Sequence, residues 1–412
     1  MGKRTTIAAI DVGTTKICTT VAEVNEGRII RVSGVGIVPS SGMHKGLVVS
    51  IGEARDAIRD SVKRAEQTSG YKIESAYVGV TGRHVTSSNN RAALTITRND
   101  KMVRPSDLKR VMQFAQNIKI PEDRKLIHAI PRSYAVDGQT VVKNPVGMHG
   151  LTLDVEAHII TAAINSIQNL ARCVRSLGID IEDLVLEPLA SGEAVLTPEE
   201  KQTGVIMADI GGGTTDVAIF REGAIWHTAV IPVAGYQLTR DIAIGLGLPF
   251  DVAEEMKRQY GNVLPANQIK KDEAIPVVGN GHTTSERELY DILYARVGEI
   301  VKLILLELPP SEYHTLVPSG LVLTGGSSNL AGIDSLAKRI LRLPSRVGAP
   351  VKIAGLTDGL ADPAYATNVG LLLWGVGHQD DKSRQSLDLT SGLRQIVGQI
   401  KKLISRQWLL RS

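Results

Sequence analysis

Asp11-Val12-Gly13-Thr14-Thr15-Lys16 and Asp209-Ile210-Gly211-Gly212-Gly213-Thr214-Thr215-Asp216 decide how this chain is read. Each motif follows an apolar run, Ile7 to Ile10 in one case and Val205 to Ala208 in the other. After the first motif, Ile17 to Val24 alternates as a strand, Asn25-Glu26-Gly27 turns, and Ile29 to Val38 forms a further strand. After the second, Val217 to Phe220, the turn Arg221-Glu222-Gly223 and Ala224 to Val233 repeat the order. The two aspartates lie nearly half the chain apart, so each copy can head its own domain.

Helices and strands alternate after each copy. Gly52 to Gln67 carries Ala54, Ile58, Val62 and Ala65 at helical spacing and stops at Gly70; Ala76 to Val80 is a strand. Ser166 to Leu177 reads as a helix ended by Gly178, followed by a short strand at Leu184 to Leu186 and a helix started by Pro188. In the second half Leu321 to Thr324 is a strand and Ile333 to Leu341 a helix. Two similar halves of mixed elements predict α/β domains facing each other. Residues 84–160 fit neither half and read as an inserted subdomain with a helix from Asp107 to Ile118 capped near Ser106. Residues 235–308 read as mainly helical: Leu238 to Gly245, Asp251 to Tyr260 and Glu286 to Leu308, with a polar loop from Pro276 to Ser285.

Composition sets bounds. The 412 residues are 43% hydrophobic and 22% charged, enough for about two to four compact domains. A net charge of +4 imposes no field that calls for nucleic acid. Cys18 and Cys173 read as reduced, buried thiols rather than a disulfide. No signal peptide is expected, and no stretch reaches the roughly 18 uninterrupted apolar residues of a membrane span.

The two turns have the chemistry of a phosphate clamp. Backbone N–H groups of a Gly-rich turn converge on an anion, and Gly13, Gly211, Gly212 and Gly213 let the backbone come close. Thr14, Thr15, Thr214 and Thr215 add hydroxyl donors, and Lys16 adds a cation for a terminal phosphate. Asp11 and Asp209, at the strand ends, suit a hydrated Mg²⁺. Leu323-Thr324-Gly325-Gly326-Ser327 is a third turn, bare enough to take the flat face of adenosine. Any one turn alone fits an ordinary hairpin; the set is a nucleotide signature.

In this order the three turns resemble the actin, heat-shock chaperone and sugar-kinase superfamily. Glu187-Pro188 with Ala190-Ser191-Gly192, and Ala366-Thr367-Asn368-Val369-Gly370, resemble its two connecting helices. Within the superfamily the chain is most similar to the FtsA family of bacterial cell-division proteins. His128-Ala129-Ile130-Pro131-Arg132-Ser133-Tyr134 and Asn144-Pro145-Val146-Gly147-Met148-His149-Gly150 resemble that family's inserted subdomain, and Leu238 to Ala243 with Ala253 to Lys257 its fourth subdomain. The resemblance implies an actin-like (ribonuclease H-like) fold. Its subdomain 1A would be 1–83, 161–203 and 351–376; its inserted subdomain 1C, 84–160; its 2A, 204–234 and 309–350; and its 2B, 235–308.

It also implies ATP and Mg²⁺ as cofactors, with Gly235, Gly325, Gly326 and Ser327 on the nucleotide. Relatives that hydrolyse ATP need a group to orient water, and Glu187 and Asp216 are the candidates, with slow turnover at most. The implied role is a subunit that polymerises and tethers an FtsZ-type tubulin-like ring to the cytoplasmic face of the inner membrane at the septum. Partners would be the FtsZ-type C-terminal tail, further copies of the chain, anionic lipid and later division proteins. Arg296, on the long helix, is a candidate contact for that tail.

The last residues add their own signal. Residues 377–390 are polar and read as a flexible linker. From Ser391 to Ser412, Leu393, Ile396, Val397, Ile400, Leu403, Ile404 and Trp408 share one helical face, Lys401, Lys402, Arg406 and Arg394 lie off it, and no acid occurs. Such a helix suits the plane of a membrane interface, with about 1 kcal/mol from each cation near anionic lipid. Two rivals share the nucleotide turns. A metabolite kinase would need a polar substrate pocket with a placed catalytic Asp, and none is visible; an FtsA-like pilus-assembly ATPase would lack reason for the insert motifs and basic tail.

Overall fold

The computed structural model describes residues 5–377 except 26–27, 140–141, 266–267, 269–273, 278–282, 309–312 and 356–358. The linker expected at 377–390 and the amphipathic segment expected at 391–412 therefore lie, from residue 378 on, outside the described residues.

The chain opens on an antiparallel meander, β1 (Thr5–Val12), β2 (Lys16–Asn25) and β3 (Arg28–Pro39). A two-residue hairpin follows, β4 (Met43–His44) and β5 (Leu47–Val48). Next come α1 (Ile51–Ser69), closed by the left-handed Gly70, and β6 (Ser75–Val80), parallel to β1. The insert holds β7 (Val85–Thr95), α2 (Pro105–Gln116), β8 (Arg124–Val136) and β9 (Thr152–Ala163), with β9 central in an antiparallel sheet. Val111 and Ala115 of α2 pack on Leu153, Val155 and Ala157 of β9. The first half resumes with α3 (Ile164–Arg175), β10 (Asp180–Leu186), α4 (Glu187–Val195) and α5 (Pro198–Thr203).

The second half repeats the meander as β11 (Val205–Ile210), β12 (Thr215–Arg221) and β13 (Ala224–Ile231). Then come α6 (Gly235–Gly245), α7 (Phe250–Tyr260), the pair β14 (Ala274–Pro276) and β15 (Thr283–Ser285), and α8 (Glu286–Leu306). α9 (Tyr313–Leu316), β16 (Leu321–Thr324), α10 (Ile333–Leu341), β17 (Ser345–Val347) and α11 (366–377) complete it.

The two main sheets have one topology. Their orders are β10-β6-β1-β2-β3 and β17-β16-β11-β12-β13, with matching parallel and antiparallel neighbours. The duplicated α/β architecture expected from the repeated turns is the architecture present. β11 is buried at every position from Val205 to Ile210, as a strand covered on both faces must be. The sheets share a core through the helices between them: Ala190 and Ala194 of α4 and Val369 and Leu372 of α11 pack with Ala9 of β1 and Met207 of β11.

Several details depart from the sequence reading. α2 is not capped by Ser106: Pro105 takes the first helical turn, and the Asp107 carboxylate accepts the Arg104 N–H at 2.8 Å. The stretch read as a polar loop, 276–285, is flanked by the paired strands β14 and β15, because Ile275 buries against the helical core. β9 stays in the inserted sheet to Ala163, beyond the expected boundary at 160, since its pairing with β7 and β8 runs that far. α6 begins at Gly235 rather than Leu238, where Gln237 caps the Ala234 N–H at 2.8 Å.

Candidate functional site

The two turns span the same number of residues. Val12 pairs with Ile17 and Asp11 with Cys18 in β1–β2; Ile210 pairs with Thr215 and Asp209 with Asp216 in β11–β12. The Thr-Thr pairs therefore do not correspond. Thr214 occupies the place of Lys16, and Thr215 that of Ile17. Thr215 is fully buried, and its hydroxyl donates to the Val233 carbonyl at 2.7 Å. Thr214 donates to Asp216 Oδ2 at 2.9 Å. Thr15, in contrast, is exposed.

The turns meet across the cleft. A methyl at Gly212 would overlap the Thr15 hydroxyl, and one at Gly213 would come 2.5 Å from Thr14 Oγ1 and 2.8 Å from Lys45 Cα. Lys45 sits at the tip of the β4–β5 hairpin with φ +48°. The next residue, Gly46, donates its N–H to Thr14 Oγ1 at 3.1 Å. His44 meets Tyr236 of α6 edge-on, with ring centres 5.9 Å apart. The hairpin is thus a strap over the place where the two turns touch, and the sequence reading missed it because two residues per strand give no periodicity.

Four carboxyl groups gather beneath the turns: Asp11, Glu187, Asp209 and Asp216, each under a tenth exposed. Burial raises Asp11 to about 6, opposed by Lys16 and reinforced by Asp209. Burial likewise raises Asp216 to about 7 and Asp209 above its usual range. Glu187, at the first residue of α4, is pushed well up by burial and then by Asp11, Asp216 and Asp209. Asp209 accepts hydrogen bonds from Ser191 of α4 at 2.6 Å and Thr367 of α11 at 3.0 Å. Asp216 accepts from Thr81, just past β6, which ties the second turn to the first half. Ser191 and Thr367 stand inside the connecting-helix motifs, so their sequence context carried the signal; Thr81 had none.

Lys16 is turned aside. Its ammonium donates to the Ala364 carbonyl at 2.6 Å and lies 4.7 Å from the centre of the Tyr365 ring. The third turn lies directly against the second. Gly325, at φ +84°, packs so closely that a Cβ would overlap Asp209 Oδ1, and Ser327 donates to the Gly211 carbonyl at 2.8 Å. Gly326 is open to solvent. Gly235 donates its N–H to the Gly211 carbonyl at 3.1 Å and starts α6 at the same place. Beside it is a group the sequence reading did not assign: Lys257 donates to Thr239 Oγ1 at 2.8 Å and Glu254 Oε2 at 2.6 Å. Lys257 is mostly buried, and burial pulls its pKa down.

This donor set fits a nucleotide with a hydrated divalent cation. Burial raises all four acids, and Lys16 opposes the shift at Asp11, Glu187 and Asp209, so a divalent cation would ease the site. Among the described residues no three His, Cys, Asp or Glu side chains stand close enough to cage an ion directly. Asp11 and Asp209 would therefore hold Mg²⁺ through its water shell. Arg296 stands far from this chemistry. Its guanidinium forks onto Asp241, bracing α8 against α6, and also pairs with Glu299.

Comparison with known proteins bears on both halves and the insert. The family model described as cell division protein FtsA matches residues 206–370, and that of the SHS2 domain inserted in FtsA matches residues 82–161. The cell division protein FtsA of Pseudomonas aeruginosa is 41% identical over 93% of this chain and 93% of its own length. That of Bacillus subtilis is 36% identical over 88% of this chain and 82% of its own. Among solved structures, the PilM–PilN type IV pilus biogenesis complex covers 91% of this chain and 99% of its own, with TM-score 0.66 and 18% identity. MreB 5 of Spiroplasma citri bound to AMPPNP covers 92% and 98%, with TM-score 0.54 and 15% identity. These likenesses make the fold actin-like. With two relatives above 35% identity matched over more than four fifths of their length and the family's own insert in place, the chain belongs to the FtsA family of cell-division proteins.

Proposed function

We propose that the chain is an ATP-binding filament subunit that tethers an FtsZ-type ring to the inner membrane at the septum. The observation that carries the nucleotide part is the pair of equal turns meeting above four buried carboxyl groups. An MreB of the same fold binds AMPPNP, which supports the same use here. The backbone of Gly13 and Gly211 to Gly213, with the Thr14 and Thr15 hydroxyls, takes the phosphates. Thr214 and Thr215 serve that turn from behind, as hydrogen bonds that fix Asp216 and Val233, just past β13. Gly235, Gly325, Gly326 and Ser327 line the nucleoside side, with Glu254 and Lys257 next to them. Asp11 and Asp209 would hold a hydrated Mg²⁺, which would offset charge on the phosphates. Lys16 reaches the terminal phosphate by leaving Ala364, and Glu187 and Asp216 orient water for slow hydrolysis.

The tether rests on the sequence from Ser391 to Ser412: an apolar face, five cations and no acid. Among the described residues no helix is long and apolar enough to cross a membrane. The FtsZ-type tail is assigned to the subdomain of α8, where Arg296 acts as a brace through Asp241 rather than as a free cation.

Pelleting with anionic vesicles tests the tether: the whole chain is expected in the pellet, and the chain without Ser391 to Ser412 in the supernatant. Equal pelleting of both ends the tether reading. Co-sedimentation with a peptide of the FtsZ C-terminal type separates a division role from pilus assembly.

A further inference from the structure

Under the β4–β5 hairpin lies a recess lined by Gly46, Leu47, Thr81, His84, Ser166 and Glu187. It has room for about one water molecule. Two of its lining side chains lack hydrogen-bond partners among the described residues. Glu187 is 8% exposed, and its Oε1 is buried with nothing to accept from. Both ring nitrogens of His84 are buried and equally unpartnered. Each such orphan destabilises the fold unless something satisfies it. Two nearby donors are already engaged: Thr81 donates to Asp216, and Arg124 donates to the His84 carbonyl at 2.9 Å rather than to its ring.

The charges fit one arrangement. Glu187 faces Asp11, Asp216, Asp209 and Lys16. His84 is half-buried and faces the cation of Arg124, and both lower its pKa, to about 4. The ring is therefore neutral near pH 7, with one N–H to donate and one nitrogen to accept. A water in the recess can accept a hydrogen bond from the imidazole N–H and donate one to Glu187 Oε1. Residue 79, which also lines the recess, is glycine, and a Cβ there would press on Glu187 at 3.3 Å.

We propose that a bound water in this recess joins Glu187 to His84, and that His84 is the positioning residue for the Glu187 carboxyl group. His84 lies within the inserted domain's residues, 82–161, so the bridge couples that domain to the cleft. The inference rests on the reading above in which Glu187 orients the attacking water.

The test compares the full chain with His84→Leu and His84→Asn. The readouts are a high-resolution crystal structure of the wild type, the Kd for Mg-ATP and the single-turnover rate of bound ATP. A water within about 3 Å of both Glu187 Oε1 and a His84 nitrogen is expected. His84→Leu should slow hydrolysis about ten-fold while Kd stays within about two-fold, and His84→Asn, which keeps a donor, should recover to within about three-fold. A dry recess, a Leu variant at the wild-type rate, or equal loss of rate and affinity in both variants overturns the proposal. A wild type that binds ATP without hydrolysing it removes the water-orienting role of Glu187, and the crystallographic water alone then upholds or removes the bridge.

Discussion

The two halves share a topology and a turn length, yet they use them differently. In the first, the turn leaves Thr15 exposed and Lys16 donating to the Ala364 carbonyl, while Cys18 stands opposite Asp11. In the second, Thr214 and Thr215 are buried, and an acid, Asp216, stands opposite Asp209. The strands beside the turns differ in the same sense. β6 makes room for Glu187 with Gly79, whereas β16 runs into Gly325, which makes room for Asp209. The comparison teaches that the second half is the rigid jaw: its turn, Asp209 and the third turn are locked together through Ser191, Thr367 and Ser327. The first half carries Lys16, held by the Ala364 carbonyl, and the hairpin strap, held to Thr14.

The largest effect should come from the rigid jaw. Gly325→Ala places a Cβ on Asp209 Oδ1 at a left-handed φ, and should cost about 3 kcal/mol or more in urea unfolding. Gly79→Ala meets only the flexible Glu187 side chain at 3.3 Å and Leu371 at 3.6 Å, so about 1 kcal/mol is expected. Equal costs would break the contrast between the jaws.

The acids sharpen it through pH. Asp11 is raised from 3.8 to about 6 in the fold, so the folded state favours its protonated form. Its contribution to stability is fully present below about pH 4 and is lost as pH rises to about 6. Asp11→Asn removes that loss. Without Mg-nucleotide, the variant should be more stable than wild type by about 1–3 kcal/mol above pH 6, and the gain should fade towards pH 4. A gain independent of pH would show that Asp11 is not held against its charge.

The smallest effects separate the threonines. Thr215→Val loses the bond to Val233 and should cost about 1–2 kcal/mol of stability with nucleotide affinity unchanged. Thr15→Val, on an exposed residue, should leave stability within about 0.5 kcal/mol and weaken Mg-ATP binding. The reverse pattern would exchange the roles of the two turns.

The sequence by itself determined the duplication, the nucleotide-type turns and the family. Local signals carry these: alternating apolar strands, glycines at turns, and motif order along the chain. α10 and β16 lie where the apolar pattern put them because their whole burial face is written in consecutive residues. Local signals could not show that the two Thr-Thr pairs fall at different registers, because only strand pairing fixes which residues stand opposite each other. Nor could they show that Arg296 is engaged by Asp241, or that Glu187 and His84 share one recess. Those facts join residues tens to hundreds of positions apart, and burial together with hydrogen-bond satisfaction decides them only once the chain has packed.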